Sequence, residues 1–300
     1  MIYRFALISC WILLIWLPCP VASADDFEQQ THEWQKEREE RLRGGNGWLT
    51  LVGRFSLQAG SNSFGVDAAN DVVLPSDLRE IGPARLGTID VNPLDGTVVL
   101  KLAASVAMSS EGVEFRGERP FHLAQEKRDW VSLGRMSMHV TGQDGNFFLR
   151  IADNQAELRN KFPGCQWYPP NAKYRVTARY IPYAEEKTLS IKNVLGDLLQ
   201  QPCCGYAEFS LDGVNYRLDA IREGEGLFFV FRDATAGEST YGGGRFIDIE
   251  RRPSDNSEFV LDFNRAYNPP CAFSKYTTCP LPPPQNVLNV PIEAGEKLKR

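Results

Sequence analysis

The sequence has few histidines and none of the short motifs that mark common catalytic sites. Its 300 residues include three histidines, His32, His122 and His139, and each is interpreted as a surface or core residue rather than a catalytic base. The patterns GxSxG, HExxH, the P-loop and GxGxxG after a strand are absent, and the run 242–244 of three glycines precedes a strand segment instead. These absences argue against nucleophile-elbow hydrolases, zincin proteases and the standard nucleotide-binding folds. A Ser/His/Asp triad without a local signature stays open.

The chain also lacks a long block of charge of one sign. It has 33 Lys and Arg against 38 Asp and Glu, which gives a net charge of −5 at pH 7. Because nucleic-acid-binding proteins usually carry a basic patch, this composition argues against nucleic acid as a partner. The sequence shows no cofactor-binding motif either. The partner class that remains is a small polar or anionic ligand, and the oligomeric state is left open.

One long apolar run opens the chain, from Phe5 to Leu17. Two prolines follow it, and then the small-residue triplet Ala22-Ser23-Ala24. This is the order of a secretory signal peptide, so we expect removal of residues 1–24, a secreted or periplasmic protein, and no stable membrane span afterwards. An uncleaved anchor is the competing interpretation, because the run approaches the roughly 20 residues that cross a bilayer. Lipidation of Cys19 is a third, although the residues before it do not form a lipobox.

Cysteine is scarce enough to be accounted for residue by residue. The chain has seven, and two of them, Cys10 and Cys19, leave with the predicted signal peptide. The five that remain are Cys165, Cys203, Cys204, Cys271 and Cys279. In an oxidising compartment we expect Cys271 to pair with Cys279. Connectivity cannot be read from sequence, so a bond between Cys165 and one of the vicinal cysteines, with one thiol left over, stays open. Neither the vicinal pair nor the eight-residue offset has the spacing of a metal site, so no metal is expected.

A single long segment has helical character, within residues 25–46. We predict a helix from Phe27 to Arg43, capped by Asp26 and ended by Gly44-Gly45. Its apolar stripe is narrow, and charged side chains at i,i+4 spacing surround it. The segment is therefore interpreted as a solvated helix that leans on the main body of the protein.

The rest of the chain alternates short apolar runs with turn residues, which is typical of strands. The predicted strand segments are Trp48–Leu57, Val98–Ala103, Met136–Thr141, Phe147–Ile151, Tyr174–Tyr180, Thr188–Val194, Tyr206–Leu211, Tyr216–Ile221, Leu227–Phe231, Phe246–Glu250 and Phe259–Phe263. Hairpin turns are expected at Asp144-Gly145 and Asp212-Gly213. The predicted fold is mainly β: an antiparallel sandwich or barrel with one N-terminal helix and a proline-rich C-terminal loop. Residues 47–300 form one β domain or two subdomains divided near 163–170.

Charged and amide side chains cluster where the last predicted strands end, beside the proline-rich segment from Asp262 to Glu296. If the final three strands are neighbours in an antiparallel meander, these side chains converge next to the Cys271–Cys279 loop. Arginine binds carboxylate or phosphate bidentately, and a glycine run lets a ligand approach closely. The candidate ligand-binding residues are Arg232, Asp233, Tyr241, Arg245, Asp262, Asn264, Arg265 and Asn268. The competing interpretation is that the same groups only brace loops.

Two motifs carry a resemblance to a known family. They are TYGGGRF at residues 240–246 and DFNRAYNPPC at residues 262–271. In these motifs, and in outer segments at 47–53, 62–65 and 294–297, the chain resembles the bacterial family called domain of unknown function 1684. Arg54 and Ser56 stand where the resemblance leads us to expect bulkier apolar residues. The resemblance implies kinship and supplies no activity.

Two classes of function therefore remain. The first is an exported protein with a polar pocket for a small ligand, acting as a binding module or as a hydrolase-like enzyme with Asp262 or Asp233 as base and Arg245 or Arg265 as anion holder. The second is a structural or envelope-interaction domain without catalytic activity. Burial distinguishes them: charged groups that face a shared cavity favour the first class, and charged groups that satisfy one another internally favour the second.

Overall fold

The computed structural model describes residues 24–123, 128–143 and 145–298. The predicted signal peptide falls, up to residue 23, outside the described residues, as does Asp144 of the first predicted hairpin turn. The fold is mainly β with antiparallel sheets and one long N-terminal helix, which confirms the predicted class. Among the described residues no helix is both long enough and apolar enough to cross a membrane.

The described residues form two helices, seventeen strands and six 3-10 turns. The helices are α1 (Ala24–Arg43) and α2 (Glu157–Asn160). The strands are β1 (Leu51–Leu57), β2 (Gly60–Gly65), β3 (Val72–Val73), β4 (Gly87–Asn92), β5 (Thr97–Leu102), β6 (Met108–Ser110), β7 (Val113–Phe115), β8 (Glu118–Pro120), β9 (Val131–Leu133), β10 (Met136–Gln143), β11 (Asn146–Asp153), β12 (Arg175–Lys192), β13 (Leu198–Leu211), β14 (Val214–Glu223), β15 (Gly226–Phe231), β16 (Arg245–Ile249) and β17 (Glu258–Asp262). Single 3-10 turns lie at Trp48–Thr50, Ser76–Leu78, Ala172–Tyr174, Phe263–Arg265, Pro270–Ala272 and Pro284–Asn286.

Helix α1 begins earlier than its sequence predicts. Asp26 lies inside the helix, where its carboxylate accepts a hydrogen bond from Gln30 Nε2 at 2.9 Å, so the prediction that Asp26 caps the helix is wrong. Thr31, Gln35, Arg38 and Leu42 are buried along one stripe. This spacing of three to four residues is that of one helix face, and it is the face that contacts the rest of the protein.

The first half of the chain forms two sheets around one core. One sheet has the order β1-β11-β10-β9-β6-β7 and the other β3-β2-β4-β5-β8. Their apolar side chains form a single buried cluster between Leu57 and Ile151 in sequence. Alternation of apolar and polar residues along each strand directs one set of side chains into this cluster. The polar set of β1, β10 and β11 is thereby left on the opposite face, which contributes to the site described below.

The second half of the chain forms one six-stranded sheet with the order β16-β15-β14-β13-β12-β17. Leu211 and Val214 pair across Asp212-Gly213, whose φ angles are +53° and +77°, so the predicted hairpin turn is present. Strands β15 and β16 are neighbours, as expected. Strand β17 instead pairs with β12 at the far edge, and the predicted meander of the last three strands is wrong in this respect.

The chain beyond β17 is extended and packs on this sheet. Leu288, Ile292 and Ala294 are buried in its apolar cluster, and Arg232 N donates to Asn286 O at 3.0 Å. The two large buried clusters fall on either side of residues 154–173. The predicted division near 163–170 itself stays a prediction.

Candidate functional site

The first group of predicted site residues centres on a buried ion pair. Arg245 is 1% exposed, and its Nη2 donates to Asp233 Oδ2 at 2.7 Å and to Ile292 O at 2.9 Å. Its Nη1 donates to Ala294 O. Asp233 also accepts from Thr235 N and from Ile292 N, at 2.9 and 3.1 Å. These contacts tie β15, β16 and the C-terminal segment together, and they are the contacts of a brace.

Asp262 and Asn264 are also satisfied within the protein. Asp262 Oδ1 accepts from Asn264 N at 3.0 Å and from Asn264 Nδ2 at 2.9 Å, which caps the 3-10 turn after β17. Asn264 exchanges two hydrogen bonds with the backbone of Asn171, at 2.8 and 3.0 Å. Asn268 donates its backbone N to Glu296 Oε2 and its Nδ2 to Lys297 O, both at 2.9 Å. The DFNRAYN motif therefore holds two distant segments of chain against the end of β17.

The remaining predicted residues lie apart from one another. Arg232 is exposed, Tyr241 is half-buried, and Arg265 is half-buried on a surface cavity with Trp34 and Asp248. The structure does not bring the predicted set to one open concavity, because the central guanidinium of Arg245 is enclosed. The ligand-binding role of these residues stays a prediction.

The glycine run of TYGGGRF has a local structural cause. Gly244 has a φ of +89°, and a Cβ there would lie 2.5 Å from the carbonyl oxygen of Phe231 and from Cγ of Pro282. Only glycine fits this conformation and this spacing. At Gly244 the close approach is therefore made by another part of the same chain.

The cystine loop forms as predicted. Cys271 and Cys279 are joined by a disulfide with a Cα–Cα distance of 6.2 Å. Cys165, Cys203 and Cys204 are free. Within the loop Tyr276 O accepts from Arg150 Nη1 at 3.1 Å, and Thr278 Oγ1 accepts from Arg150 Nη2 at 3.2 Å. The loop thus contacts the sheet of the first half of the chain at an arginine.

This arginine belongs to a cavity that the sequence did not predict. The cavity has a volume of about 260 Å³ and lies where the sheet of β1, β10 and β11 meets the β12–β13 turn and the cystine loop. Its lining residues are Arg54, His122, Leu123, Arg128, His139, Val140, Thr141, Gly142, Phe148, Arg150, Asn193, Asp197 and Thr278. We call it the arginine cavity.

Three of these residues form one row across the sheet. Arg54 of β1 is directly opposite Arg150 of β11, and Arg150 is directly opposite His139 of β10. Directly opposite side chains in a sheet have Cβ atoms about 4.5–5.5 Å apart, and like charges placed this way destabilise the sheet. His139 is 3% exposed and Arg150 is 8% exposed. The fold therefore holds two guanidinium groups and a buried imidazole side by side.

The row is short of partners. Arg54 Nε, Arg150 Nε and His139 Nδ1 are buried without a hydrogen-bond partner. In the described part of the chain none of the three arginines that line the cavity forms a salt bridge with a carboxylate. Buried polar groups are normally hydrogen-bonded, so these three nitrogen atoms leave the row short of hydrogen-bond partners.

The pKa values of the residues in the row reflect the same crowding of positive charge. Burial, together with the positive charges of Arg54 and Arg128, lowers the pKa of Arg150 to about 10. Burial lowers the pKa of His139 to about 3, again with help from Arg128 and Arg150. Burial also lowers the pKa of Arg54, whereas the negative charge of Asp197 acts the other way. The repulsion that Arg54 and Arg128 add at Arg150, and that Arg128 and Arg150 add at His139, is the part of these shifts that a bound anion offsets.

Aromatic rings orient two of the guanidinium groups. Arg54 lies over Phe148 at 3.7 Å from the ring centroid, and Arg128 lies over Trp48 at 4.5 Å. Stacking on a ring fixes the plane of a guanidinium while leaving its N–H edge free to bind. The unexpected Arg54 in the first predicted strand therefore lies on the arginine cavity and not in the apolar core.

Sequence reasoning missed this row because register decides it. Each strand segment carries one basic or imidazole side chain among apolar residues, and that is a visible signal. His139 and Arg150 belong to one hairpin, but Arg54 reaches the row only through pairing of β1 with a segment almost 100 residues away. A polar residue in three separate apolar strands was a reason to look for a shared site.

Comparisons with known proteins identify a family and a similar solved structure. A family model described as a protein of unknown function (DUF1684) matches residues 160–297, which include TYGGGRF and DFNRAYNPPC. Among solved structures, the chain is similar to the solution NMR structure of an uncharacterized protein of Haloarcula marismortui, with 36% identity over 47% of this chain and 80% of that one, at a TM-score of 0.40. No curated protein matches. The outer segments 47–53 and 62–65 lie outside the matched region, so the resemblance there stays a prediction.

Proposed function

The chain belongs, through residues 160–297, to the DUF1684 family of proteins of unknown function, and since that description assigns no activity, we propose one from the arginine cavity. The proposed function is the binding of a small oxyanion, such as phosphate, sulfate or a carboxylate. The observation that carries the proposal is the row Arg54, Arg150 and His139, with three buried nitrogen atoms that lack partners.

A bound oxyanion offsets the charge repulsion in this row and supplies its missing hydrogen-bond partners. Its negative charge offsets the repulsion between two arginines that the sheet holds opposite each other. Its several oxygen atoms accept from guanidinium forks in the bidentate geometry that arginine favours. The neutral His139 can donate or accept through its unpartnered Nδ1. The volume of about 260 Å³ and the partly apolar wall of Phe148, Val140 and Leu123 also leave room for a short organic group on the anion.

Export is the second part of the proposal. We infer a secreted or periplasmic protein that starts at Asp25 after signal-peptide removal, supported by the order of charge, apolar run and Ala22-Ser23-Ala24. The intact mass of the protein recovered after export checks this. A chain that begins at Met1, or one with a lipid on Cys19, contradicts it.

Two observations favour the alternative, a structural domain without ligand, for the family motifs alone. Arg245, Asp233, Asp262 and Asn264 bond one another or the backbone, and of Arg245 only Nε is buried without a partner. They lie away from the arginine cavity, whose lining does not include them. The two interpretations therefore apply to different parts of the molecule, and an enzyme that uses Asp233 or Asp262 as base is not favoured by these contacts.

The decisive experiment measures phosphate, sulfate and acetate binding by calorimetry and by thermal unfolding. We expect at least one of them to bind the wild-type protein and to raise its melting temperature. Arg54→Gln should weaken that binding about tenfold or more, the loss of a charge-assisted hydrogen bond being on the order of 1.4 kcal/mol or above. Arg79→Gln, at an exposed arginine outside the cavity, is the matched control and should bind like the wild type.

The unliganded stability of the same variant separates a site from a brace. Removing one of two opposed like charges relieves repulsion, so Arg54→Gln without ligand should be as stable as the wild type or more stable. The proposal fails if no oxyanion shifts the wild-type melting temperature. It also fails if Arg54→Gln is markedly destabilised without ligand while anion binding is unchanged.

A further inference from the structure

Exposed aliphatic side chains are concentrated at one point on the surface. Ten large hydrophobic residues are exposed in the described part of the chain, and three of them lie within five residues at the turn between β12 and β13. Val194 is 37% exposed, Leu195 56% and Leu198 54%. Single exposed aliphatic residues are ordinary, whereas a group in one turn indicates an interaction surface. We call residues 193–198 the hairpin tip.

The hairpin tip is rigidly built. Asn193 is 4% exposed, and its Oδ1 accepts from Leu195 N at 2.9 Å and from Asp197 N at 3.0 Å. Val194 N donates to Cys279 O at 3.1 Å, which fastens the tip to the cystine loop. A turn fixed in this way cannot fold its aliphatic side chains away from water. They remain exposed because the backbone is held in place.

The same tip forms one wall of the arginine cavity. Asn193 and Asp197 line the cavity, and Val194 and Leu195 lie between them in sequence. The exposed aliphatic side chains are therefore within one or two residues of the proposed oxyanion site. Asp197 is the acidic member of the wall, and its carboxylate accepts from Asn193 Nδ2 at 2.9 Å, so part of its charge is engaged within the turn.

Apolar side chains beside a cation-lined cavity match the chemistry of a phospholipid surface, where a charged phosphate lies next to acyl chains. We propose that the hairpin tip inserts into the interface of a bilayer that contains anionic phospholipid, with a headgroup phosphate in the arginine cavity. This rests on the proposed oxyanion function and names its ligand as lipid-bound phosphate. The chain has a net charge of −5, so general electrostatic attraction to an anionic surface does not supply the binding. Insertion of the hairpin tip and a specific contact with the headgroup phosphate supply the binding instead.

The test is cosedimentation of the full protein with two kinds of vesicle. One kind is phosphatidylcholine alone, and the other is phosphatidylcholine mixed with phosphatidylglycerol. We expect binding to the mixed vesicles only, reduced by free glycerol phosphate. The variant Leu195→Ser with Leu198→Ser should lose about tenfold or more of this binding, while it keeps the wild-type affinity for free phosphate in solution.

Two further variants complete the design. Leu94→Ser is the matched control, because Leu94 is 95% exposed in the turn between β4 and β5 and lies outside the arginine cavity; it should bind vesicles like the wild type. Arg54→Gln should lose both vesicle binding and free phosphate binding. Loss of vesicle binding in the tip variant together with loss of free phosphate binding would indicate a damaged site and would contradict the proposal.

The outcomes separate this inference from the function on which it rests. If the protein binds free phosphate but not mixed vesicles, the membrane inference is overturned and the oxyanion function stands. If it binds neither, both fail. Equal binding to the two kinds of vesicle, or vesicle binding that survives in the tip variant or in Arg54→Gln, also overturns the inference.

Discussion

At the scale of single residues, the buried Arg245 shows how a charged group can serve the fold alone. It reaches Asp233 and two carbonyl groups of the C-terminal segment. Removing one partner of a buried ion pair leaves the other charge uncompensated, at a cost of about 3–5 kcal/mol. We expect Arg245→Met to lower the free energy of unfolding by about that amount in urea denaturation.

Arg232, another arginine of the predicted ligand site, provides the control. Arg232 is exposed, and Arg232→Met should change the free energy of unfolding by less than about 0.5 kcal/mol. An Arg245→Met protein with wild-type stability would show that the pair contributes nothing to the fold and would return Arg245 to the predicted ligand role.

His139 makes a second residue-scale prediction, on pH. Its pKa in the folded protein is about 3, lowered by burial and by Arg128 and Arg150, whereas an unfolded histidine titrates near 6.5. Between these values the unfolded chain binds a proton that the folded protein does not. Stability is therefore present above pH 6.5 and is lost as the pH falls, by about 1.4 kcal/mol per pH unit below it.

The window from pH 6.5 to pH 5 isolates this effect from most carboxylates. We expect urea denaturation of the unliganded protein to show the loss in the wild type and a flatter profile in His139→Gln. His122→Gln, at the exposed histidine that lines the same cavity, should keep the wild-type slope. Phosphate should reduce the loss, since a bound anion offsets the arginine charges that oppose protonation. A wild-type stability independent of pH in this window contradicts the assignment.

What the sequence could predict about residues follows from the reach of their partners. The motifs indicated that Arg245, Asp262 and Asn264 make tertiary contacts, and they do. Their partners come from far along the sequence, segment 286–296 for Arg245 and Asn171 for Asn264, so the motifs alone do not show whether a ligand or the chain is the partner. Arg54 looked like a packing anomaly because its partner in the row, Arg150, lies on a strand that pairs with it only in the folded sheet.

At the scale of elements, the cystine loop stabilises the fold through its disulfide and also contacts Arg150. It closes a nine-residue span, for which the chain-entropy model gives about 2.5 kcal/mol. It also presents Tyr276 O and Thr278 Oγ1 to Arg150. We expect Cys271→Ser with Cys279→Ser to lower the free energy of unfolding by about 2.5 kcal/mol and to weaken oxyanion binding.

Reductant gives the matched comparison. Dithiothreitol should lower the stability of the wild-type protein toward that of the double serine variant and should leave the variant unchanged. If peptide mapping without reduction finds Cys271 and Cys279 as free thiols in the native protein, the disulfide is absent and the expected difference disappears.

The presence of the longer strands was more predictable than their order. Each predicted segment between 98 and 263 overlaps an observed strand because alternation and turn residues are local signals, but β13 begins at Leu198 instead of the predicted Tyr206 and the short strands β6 to β9 were not predicted. The sequence predicts β12 as two segments, because charged residues interrupt its pattern where its pairing with β13 shifts between Pro182 and Lys187. The place of β17 beside β12 was not predictable, because sheet order is decided by packing across the whole domain.

At the scale of the whole molecule, distant parts of the chain meet twice. The arginine cavity joins strands of the first half to the β12–β13 turn and the cystine loop of the second. The family match covers only the second half of that arrangement, residues 160–297. Composition and patterning gave the mainly β class, while the cavity exists only where the two halves contact each other.

The second meeting point is Glu296, which is 1% exposed among groups from three segments. Its Oε2 accepts from Asn268 N at 2.9 Å, and the backbone of the same residue bridges to Trp167. The pKa of Glu296 is raised by burial, against the opposing effects of Arg38 and of the Asn268 hydrogen bond. The C-terminal segment is therefore fastened through a carboxyl group that the protein interior prefers to keep protonated.

The raised pKa fixes the sign of the last prediction. Below about pH 4.3, the usual value for an unfolded glutamate, both states hold the proton and Glu296 has no pH-dependent effect. As the pH rises from there through the folded pKa, the unfolded state ionises first and stability is lost. We therefore expect Glu296→Gln, which keeps an acceptor for Asn268 N, to be more stable than the wild type in urea at pH 7, with the gap closing toward pH 4. Glu293→Gln, exposed on the same segment, should show no such gap. If Glu296→Gln instead loses stability relative to the wild type as the pH rises from 4 to 7, the ionised carboxylate is the form that holds the C-terminal segment in place.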